Sequence, residues 1–347
     1  MLLICPMPAR PAAKNRRLQG DGLLALPIAK PKGAPAAKKL KRFCASIFPP
    51  TPIRPEFGRL IQELEKVLAR PIWVLIQNPP DDPKKVSPYD EIGFHVFKAL
   101  QSQRSLIAEG KPFALMLDSH GGDAHCAYRI ARMLQRRTKD LMIIVPQYAK
   151  SAATLLALAA RHLLLSRDAE LGPLDVQMFD PETEKYGSAL DAVQALERLN
   201  VFALAAVDQS MMLYVGRTLK RTDVLLPHIL KYATDFLRPL LEKIDTVEYT
   251  RRSRELKVAA EYAVRLLKLH YPFDTAQRIA SQLVERYATH GFVIDRYEAR
   301  TFEEVTTRQT FGLGLQVVQP STKIEKLFDR LTPFLDNETI IGRIAEA

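Results

Sequence analysis

The sequence predicts an α/β protein built on a largely parallel sheet covered by helices. Short apolar runs at 72–77, 113–119, 141–146 and 163–166 alternate with segments of helical periodicity. The runs are continuously apolar, as strands buried on both faces are. Each is followed by a helix-length segment, the spacing that a parallel crossover requires.

The elements follow in order. PEFGRLIQELEKVLAR (55–70) reads as an amphipathic helix with Leu60, Leu64 and Leu68 spaced by four. IWVLIQ (72–77) is a buried strand, and NPPDDPKKVSP is a loop. YDEIGFHVFKALQS (89–102) is helical, with Ile92, Val96 and Leu100 on one face. The strand FALMLDS (113–119) ends at the turn HGGD, and AHCAYRIARMLQRR (124–137) is a helix. The strand LMIIVP (141–146) and the loop QYAK lead to an alanine-rich helix, SAATLLALAARH (151–162). LLLS (163–166) is a short strand, and RDAELGPLDVQ is a loop.

From about residue 188 the pattern turns helical as far as His270, with breaks expected near Pro227 and Pro239. DTAQRIASQLVERYATHG (274–291) is one more helix, capped by Asp274 or Thr275 and stopped by Gly291. FVIDRYEARTFEEV reads as a strand leading into a short helix, and 320–347 as helical or frayed. No internal repeat is present.

The net charge of +11 is concentrated at one end. Residues 1–55 hold 11 Lys/Arg against Asp21 alone, and 10 of the 24 prolines. The remainder holds 39 Lys/Arg and 38 Asp/Glu and is close to neutral. Three parts are expected: a disordered basic arm (1–55), an α/β core (56–215) and a helical C-terminal region (216–347). The arm suits nucleic acid or another acidic partner, or a targeting role, although a solvated tail has the same composition. MLLICPMPAR has no basic start, so no secretory signal is expected. The longest apolar stretch, Leu155 to Leu165, is interrupted by Arg161 and His162, so no membrane span is expected. Cys5, Cys44 and Cys126 lie far apart, which points to a reducing compartment.

Two segments could carry chemistry. Asp118-Ser119-His120-Gly121-Gly122-Asp123 lies between a strand and a helix, where paired glycines present backbone N–H groups to an anion or a developing oxyanion. Lys150-Ser151-Ala152-Ala153 puts a serine at a helix N-terminus, with room for a carbonyl beside it. Taken singly, each also fits a plain turn or an N-cap. In a parallel sheet both loops leave the carboxyl edge, so they face one crevice with a hydroxyl and two donors, the arrangement acyl transfer needs.

The blocks LDSHGGDAHCAYRIARML (117–134), VPQYAKSAATLLALAA (145–160) and ELGPLDVQ (170–177) resemble the serine dehydrogenase proteinases of the ClpP/crotonase superfamily, which are also similar to signal peptide peptidase A. THGFVID (289–295) is a weaker echo. The resemblance implies a ClpP/crotonase-like core, Ser151 as nucleophile, Gly122 and Ala152 as oxyanion donors, and a homo-oligomer. It also implies departures. His120 replaces a proline, Gln147 a histidine, and Ala152 and Ala153 glycines; Val176 and Gln177 stand where ClpP places its basic histidine.

The general base therefore stays open among Lys185, the kind of position signal peptide peptidase relatives use, His120 and His290, with Asp175 as an orienting group. His162, 11 positions beyond Ser151 on the expected helix, is about 16 Å away along its axis. Asp118, His120, Asp123 and His125 straddle a turn and make a poor metal set; neither a dinucleotide nor a P-loop motif occurs, so no cofactor is expected. The expected activity is cytoplasmic hydrolysis of a peptide or protein through an acyl-enzyme. The alternative is a non-catalytic binding or scaffold protein that lacks a base.

Overall fold

The computed structural model describes residues 42–346 except 51, 81, 83–85, 181–184, 288, 301 and 304–309. Strand β1 (Phe43–Ala45), helix α1 (Pro55–Leu68), β2 (Ile72–Gln77), α2 (Phe94–Ser102), β3 (Phe113–Ser119), α3 (Ala124–Arg137) and β4 (Leu141–Val145) come first. Then follow β5 (Tyr148–Ala149), α4 (Ala152–Ala157), β6 (His162–Leu165), β7 (Glu170–Leu171), β8 (Gln177–Asp180) and β9 (Lys185–Ser188). Three long helices, α5 (Ala189–Thr218), α6 (Thr222–Leu241) and α7 (Thr246–Leu267), precede α8 (Phe273–Ser281). The chain closes with β10 (Ile294–Asp295), α9 (Arg296–Ala299), β11 (Phe302–Glu303), β12 (Thr310–Phe311), β13 (Val317–Val318), α10 (Thr322–Leu331) and β14 (Thr339–Glu346).

The main sheet runs β1-β14-β2-β3-β4-β6-β13, with β5, β7 and β10 added at the carboxyl end. Its central pairs β2/β3, β3/β4 and β4/β6 are parallel, as the continuous apolar runs predict. Successive side chains point to opposite faces, so each strand feeds two cores. Trp73, Leu75, Leu115, Leu117 and Ile143 pack under α2, α3, α4 and α7. Val74, Ile76, Met116 and Ile144 pack under α1 and α10. The result is a three-layer α/β protein with a helical region after residue 188.

Four expectations move. The body extends before Glu56: Phe43 is fully buried, β1 pairs with β14, and Ile53 is buried, so Phe43–Ala45 and Ile53 belong to it. The segment 320–347 contains α10 and a strand, β14, which inserts between β1 and β2 with Ile340 and Ile344 in one core and Ile341 in the other. The helix expected over 151–162 ends at Ala157, because His162 pairs with Met142 in the sheet. Both Pro227 and Pro239 lie inside α6, where buried Ile229, Ala233 and Leu237 hold the helix through. The breaks fall instead at Leu219, in a left-handed cap, and at Asp245, whose carboxylate accepts from the N–H groups of Val247 (2.8 Å) and Glu248 (3.1 Å).

Helix α5 differs from the expectation about membranes. Its 30 residues, with a window of mean hydropathy 1.3 that is 0 % buried, are long and apolar enough to cross a membrane by length and composition. Searching only for uninterrupted apolar runs overlooks it, because Asp208 lies within it.

Candidate active site

The site is built where β3 and β4 release their loops. Ser119 ends β3, and its carbonyl accepts from the Lys150 N–H at 3.0 Å, tying the glycine turn to the serine loop. Ser119 Oγ donates to Gln77 Oε1 (2.9 Å) and accepts from the Gly121 N–H (3.1 Å). Gly121 has φ +115°, and a Cβ there would meet Lys150 O at 2.8 Å, so only glycine permits this approach. The two segments singled out in the sequence are thus in contact.

Gly122 has φ +135°, and its flanking groups bond Ile92: the Ile92 N–H donates to Gly121 O (2.8 Å) and the Asp123 N–H to Ile92 O (2.7 Å). Among the described residues the N–H groups of Gly122 and Ala152 have no acceptor. Asp123 caps α3, its carboxylate accepting from the Cys126 N–H at 2.6 Å.

Ser151 has φ 49° and ψ −117°, a conformation rare for a residue with a side chain. Its hydroxyl does not cap α4. The plain N-cap role open at the sequence level is therefore not the one it plays. The strain is held from both sides. The Ala153 N–H donates to Lys150 O (2.9 Å), and the buried Thr154 hydroxyl donates to Ala149 O (2.6 Å) and accepts from the Gly172 N–H (3.1 Å). Lys150 pairs with Glu170 and so is committed elsewhere.

Ser151, Gly122, Ala152 and His120 line one cleft of about 440 Å³ together with Asp175 and His290. Helix α7 supplies its far wall through Glu255, Val258 and Ala259. Tyr262 of α7 fixes this wall: it stacks on Tyr128 with ring centroids 4.0 Å apart and hydrogen-bonds His125 Nδ1 at 2.9 Å.

His290 Nδ1 lies 3.0 Å from the Asp175 carbonyl and 4.0 Å from its carboxylate. A carbonyl only accepts, so Nδ1 carries the proton and Nε2 of the neutral ring is the free acceptor. Asp175 is 3 % exposed and is held by Ser188 Oγ (2.9 Å) and Gln177 Nε2 (3.0 Å). Burial pushes its pKa up, against the bonds from Ser188 and the Leu190 N–H and the neighbouring His290. His120 packs against Tyr148 with ring centroids 4.5 Å apart and the rings tilted by 31°; burial, then the Lys150 charge, hold its pKa below the usual histidine range.

Lys185 begins β9, paired with Asp180 of β8; its side chain lies outside the described residues. His162 is on β6, at the opposite edge of the sheet from Ser151. Among the described residues no group of three or more His, Cys, Asp and Glu side chains is placed to hold a metal.

Beneath the site, Asp118 is fully buried at the end of β3. Its carboxylate accepts from Asn78 Nδ2 (2.9 Å) and from the Gln147 N–H (3.0 Å). Burial raises its pKa to about 7 despite these bonds, and Asp336 adds to the rise. The sequence marked Asp118 as the start of the glycine turn and as part of a discarded metal set, not as a buried, proton-holding group. The wall from α7 had no signal at all, because a helix remote in sequence reaches the cleft only through the fold.

Residues 95–208 match the family described as ClpP-like SDH-type serine proteinase. Two uncharacterized proteins of Methanocaldococcus jannaschii are similar over shorter stretches. One is 40 % identical over 68 residues, 20 % of this chain and 24 % of its own length. The other is 34 % identical over 73 residues, 21 % of this chain and 25 % of its own. The match thus spans about a quarter of each curated relative.

Proposed function

Because residues 95–208 carry a domain of the ClpP-like SDH-type serine proteinase family, we propose that the chain is a serine peptidase acting through an acyl-enzyme on Ser151. The observation that carries this reading is the strained Ser151 turn in a cleft shared with Gly122, Ala152, His290 and Asp175. Ser151 Oγ attacks the scissile carbonyl while His290 Nε2 takes its proton. The N–H groups of Gly122 and Ala152 stabilise the oxyanion, a role worth about 3–4 kcal/mol per donor in a comparable enzyme. His290 then returns the proton to the leaving amine. Water attacks the ester by the same route, releasing the acid and restoring Ser151. Asp175 orients His290. His120 is the second candidate base, and Lys185 the third.

Labelling with a fluorophosphonate probe, read by intact mass, tests the reading. The wild type is expected to label at Ser151 alone, and Ser151→Ala to neither label nor cleave peptides or esters. His290→Ala is expected to lose roughly 10²–10⁴-fold in rate, and His120→Ala far less. The reverse order would move the base to His120. Equal loss of neither would point to Lys185. Hydrolysis undiminished in Ser151→Ala would remove the peptidase assignment, and a wild type that never labels would favour the binding-protein reading. Gly122→Val is a poor probe here: its Cβ would lie 2.6 Å from Ile92 O, so it would disturb the turn itself.

We also propose that the chain works in the cytoplasm on peptide or protein substrates and assembles with copies of itself. Exposed Phe202, Tyr232 and Phe236, grouped on α5 and α6, support self-assembly; sedimentation equilibrium checks it. Binding of nucleic acid or an acidic partner through residues 1–55 would weaken with salt and vanish when they are deleted.

A further inference from the structure

A second cavity, of about 600 Å³, lies at the opposite edge of the sheet. It opens beside the first residues of β4 and β6, whereas Ser151 follows the last residues of β4. A five-residue strand separates the two edges by about 17 Å.

The cavity is lined by Lys139, Arg161, His162 and His270, and by no carboxylate. Four groups able to carry positive charge therefore meet around one space. The nearest acid in sequence, Asp140, is taken by Arg70 through two bonds of 3.3 Å. Lys139 and Arg161 are exposed, and their side chains form no hydrogen bond or ion pair among the described residues. Helix C-termini attract cations. The end of α4 accounts in this way for His270, which bonds the Ala159 carbonyl, but not for the ammonium and guanidinium groups. Burial, and then the charge on Arg161, lower the His270 pKa, so an anion seated here would favour its protonation. Leu269, 50 % exposed, adds an apolar wall.

We propose that this cavity binds a phosphate-bearing small molecule, its phosphoryl oxygens held by Arg161 and Lys139. Guanidinium groups fit phosphate through paired N–H donors, and the volume suits a nucleotide-sized ligand. The site shares no lining residue with the Ser151 cleft.

Isothermal titration of the full chain at fixed ionic strength tests this, with inorganic diphosphate, ADP and, as a neutral control, adenosine. One-to-one saturable binding of diphosphate and ADP is expected. It should weaken at least tenfold in Lys139→Gln/Arg161→Gln with an unchanged melting temperature, because both side chains are exposed and unpaired. In the wild type, the imidazole proton resonances of His162 and His270 should shift on saturation, while the double variant loses that shift. Binding of ADP well above diphosphate would identify a nucleotide as the source of the phosphate and Leu269 as part of the contact. Equal binding would identify the phosphoryl group alone. Absence of saturable binding by the wild type would overturn the site. So would binding that survives the double variant, since residues 1–55 would then be the anion-binding element.

Discussion

The central sheet and the α5–α6 pair treat apolar side chains in opposite ways. Every residue of β2, β3 and β4 is buried. On α5, Val201 is 66 %, Leu204 62 % and Met212 73 % exposed, and on α6 Tyr232 and Phe236 are exposed too. The sheet is finished by the chain itself, because helices from both halves of the sequence cover its two faces. The apolar side chains of the α5–α6 face stay exposed. Hydrophobicity alone therefore does not decide what is buried; position in the topology does.

Ile143→Ala breaks the sheet side of this contrast most severely. Ile143 is fully enclosed, so a loss of about 2–5 kcal/mol is expected in chemical denaturation. A loss no larger than that of a surface residue would erase the contrast.

Asp118 sharpens it through pH. The folded protein keeps this proton up to about pH 7, whereas the ordinary carboxyl releases it near 3.8. Unfolding in that window therefore releases a proton. Stability should fall as pH rises from about 4 to about 7, by on the order of 2–4 kcal/mol, and then level off. Asp118→Asn should flatten that part of the stability–pH curve; an unchanged slope would show that Asp118 is already charged in the fold.

Deletions locate the start of the body. Removing 1–41 should leave the melting temperature nearly unchanged. Removing 1–50 takes away β1 and the buried Phe43, and should cost about 2–3 kcal/mol. The smallest effect is expected at the open face: Leu204→Ala should alter protomer stability by less than about 0.5 kcal/mol, while weakening self-association in sedimentation.

The parallel strands and the joining of the Gly121–Gly122 turn to the Ser151 loop were legible because they rest on local patterns and one topological rule. Apolar runs fix the strands, and strand direction fixes the edge from which both loops leave. The strand at 339–346 was not legible. Its partners are about 260–300 residues away, and TIIGRIAE alone does not distinguish an inserted strand from a frayed end. His290 and Asp175 were each visible as candidates. Their pairing depends on a long excursion through α5, α6, α7 and α8, which no periodicity encodes. Ser151 was visible as a residue at a helix start, but the backbone twist that frees its hydroxyl belongs to tertiary packing.

The insertion of β14 between β1 and β2 also sets a schedule for synthesis. β1 leaves the ribosome early and has no other strand to pair with in the sheet until β14 is made, about 290 residues later. At roughly 5–20 residues per second, that wait lasts roughly 15–60 s. Meanwhile the glycine turn, the Ser151 loop and Asp175 have already emerged beside one another on strands whose parallel neighbours are in hand. The nascent chain thus carries an unpaired edge on β2 from the synthesis of β3 until that of β14, and an unpaired strand edge is a template for pairing with another chain.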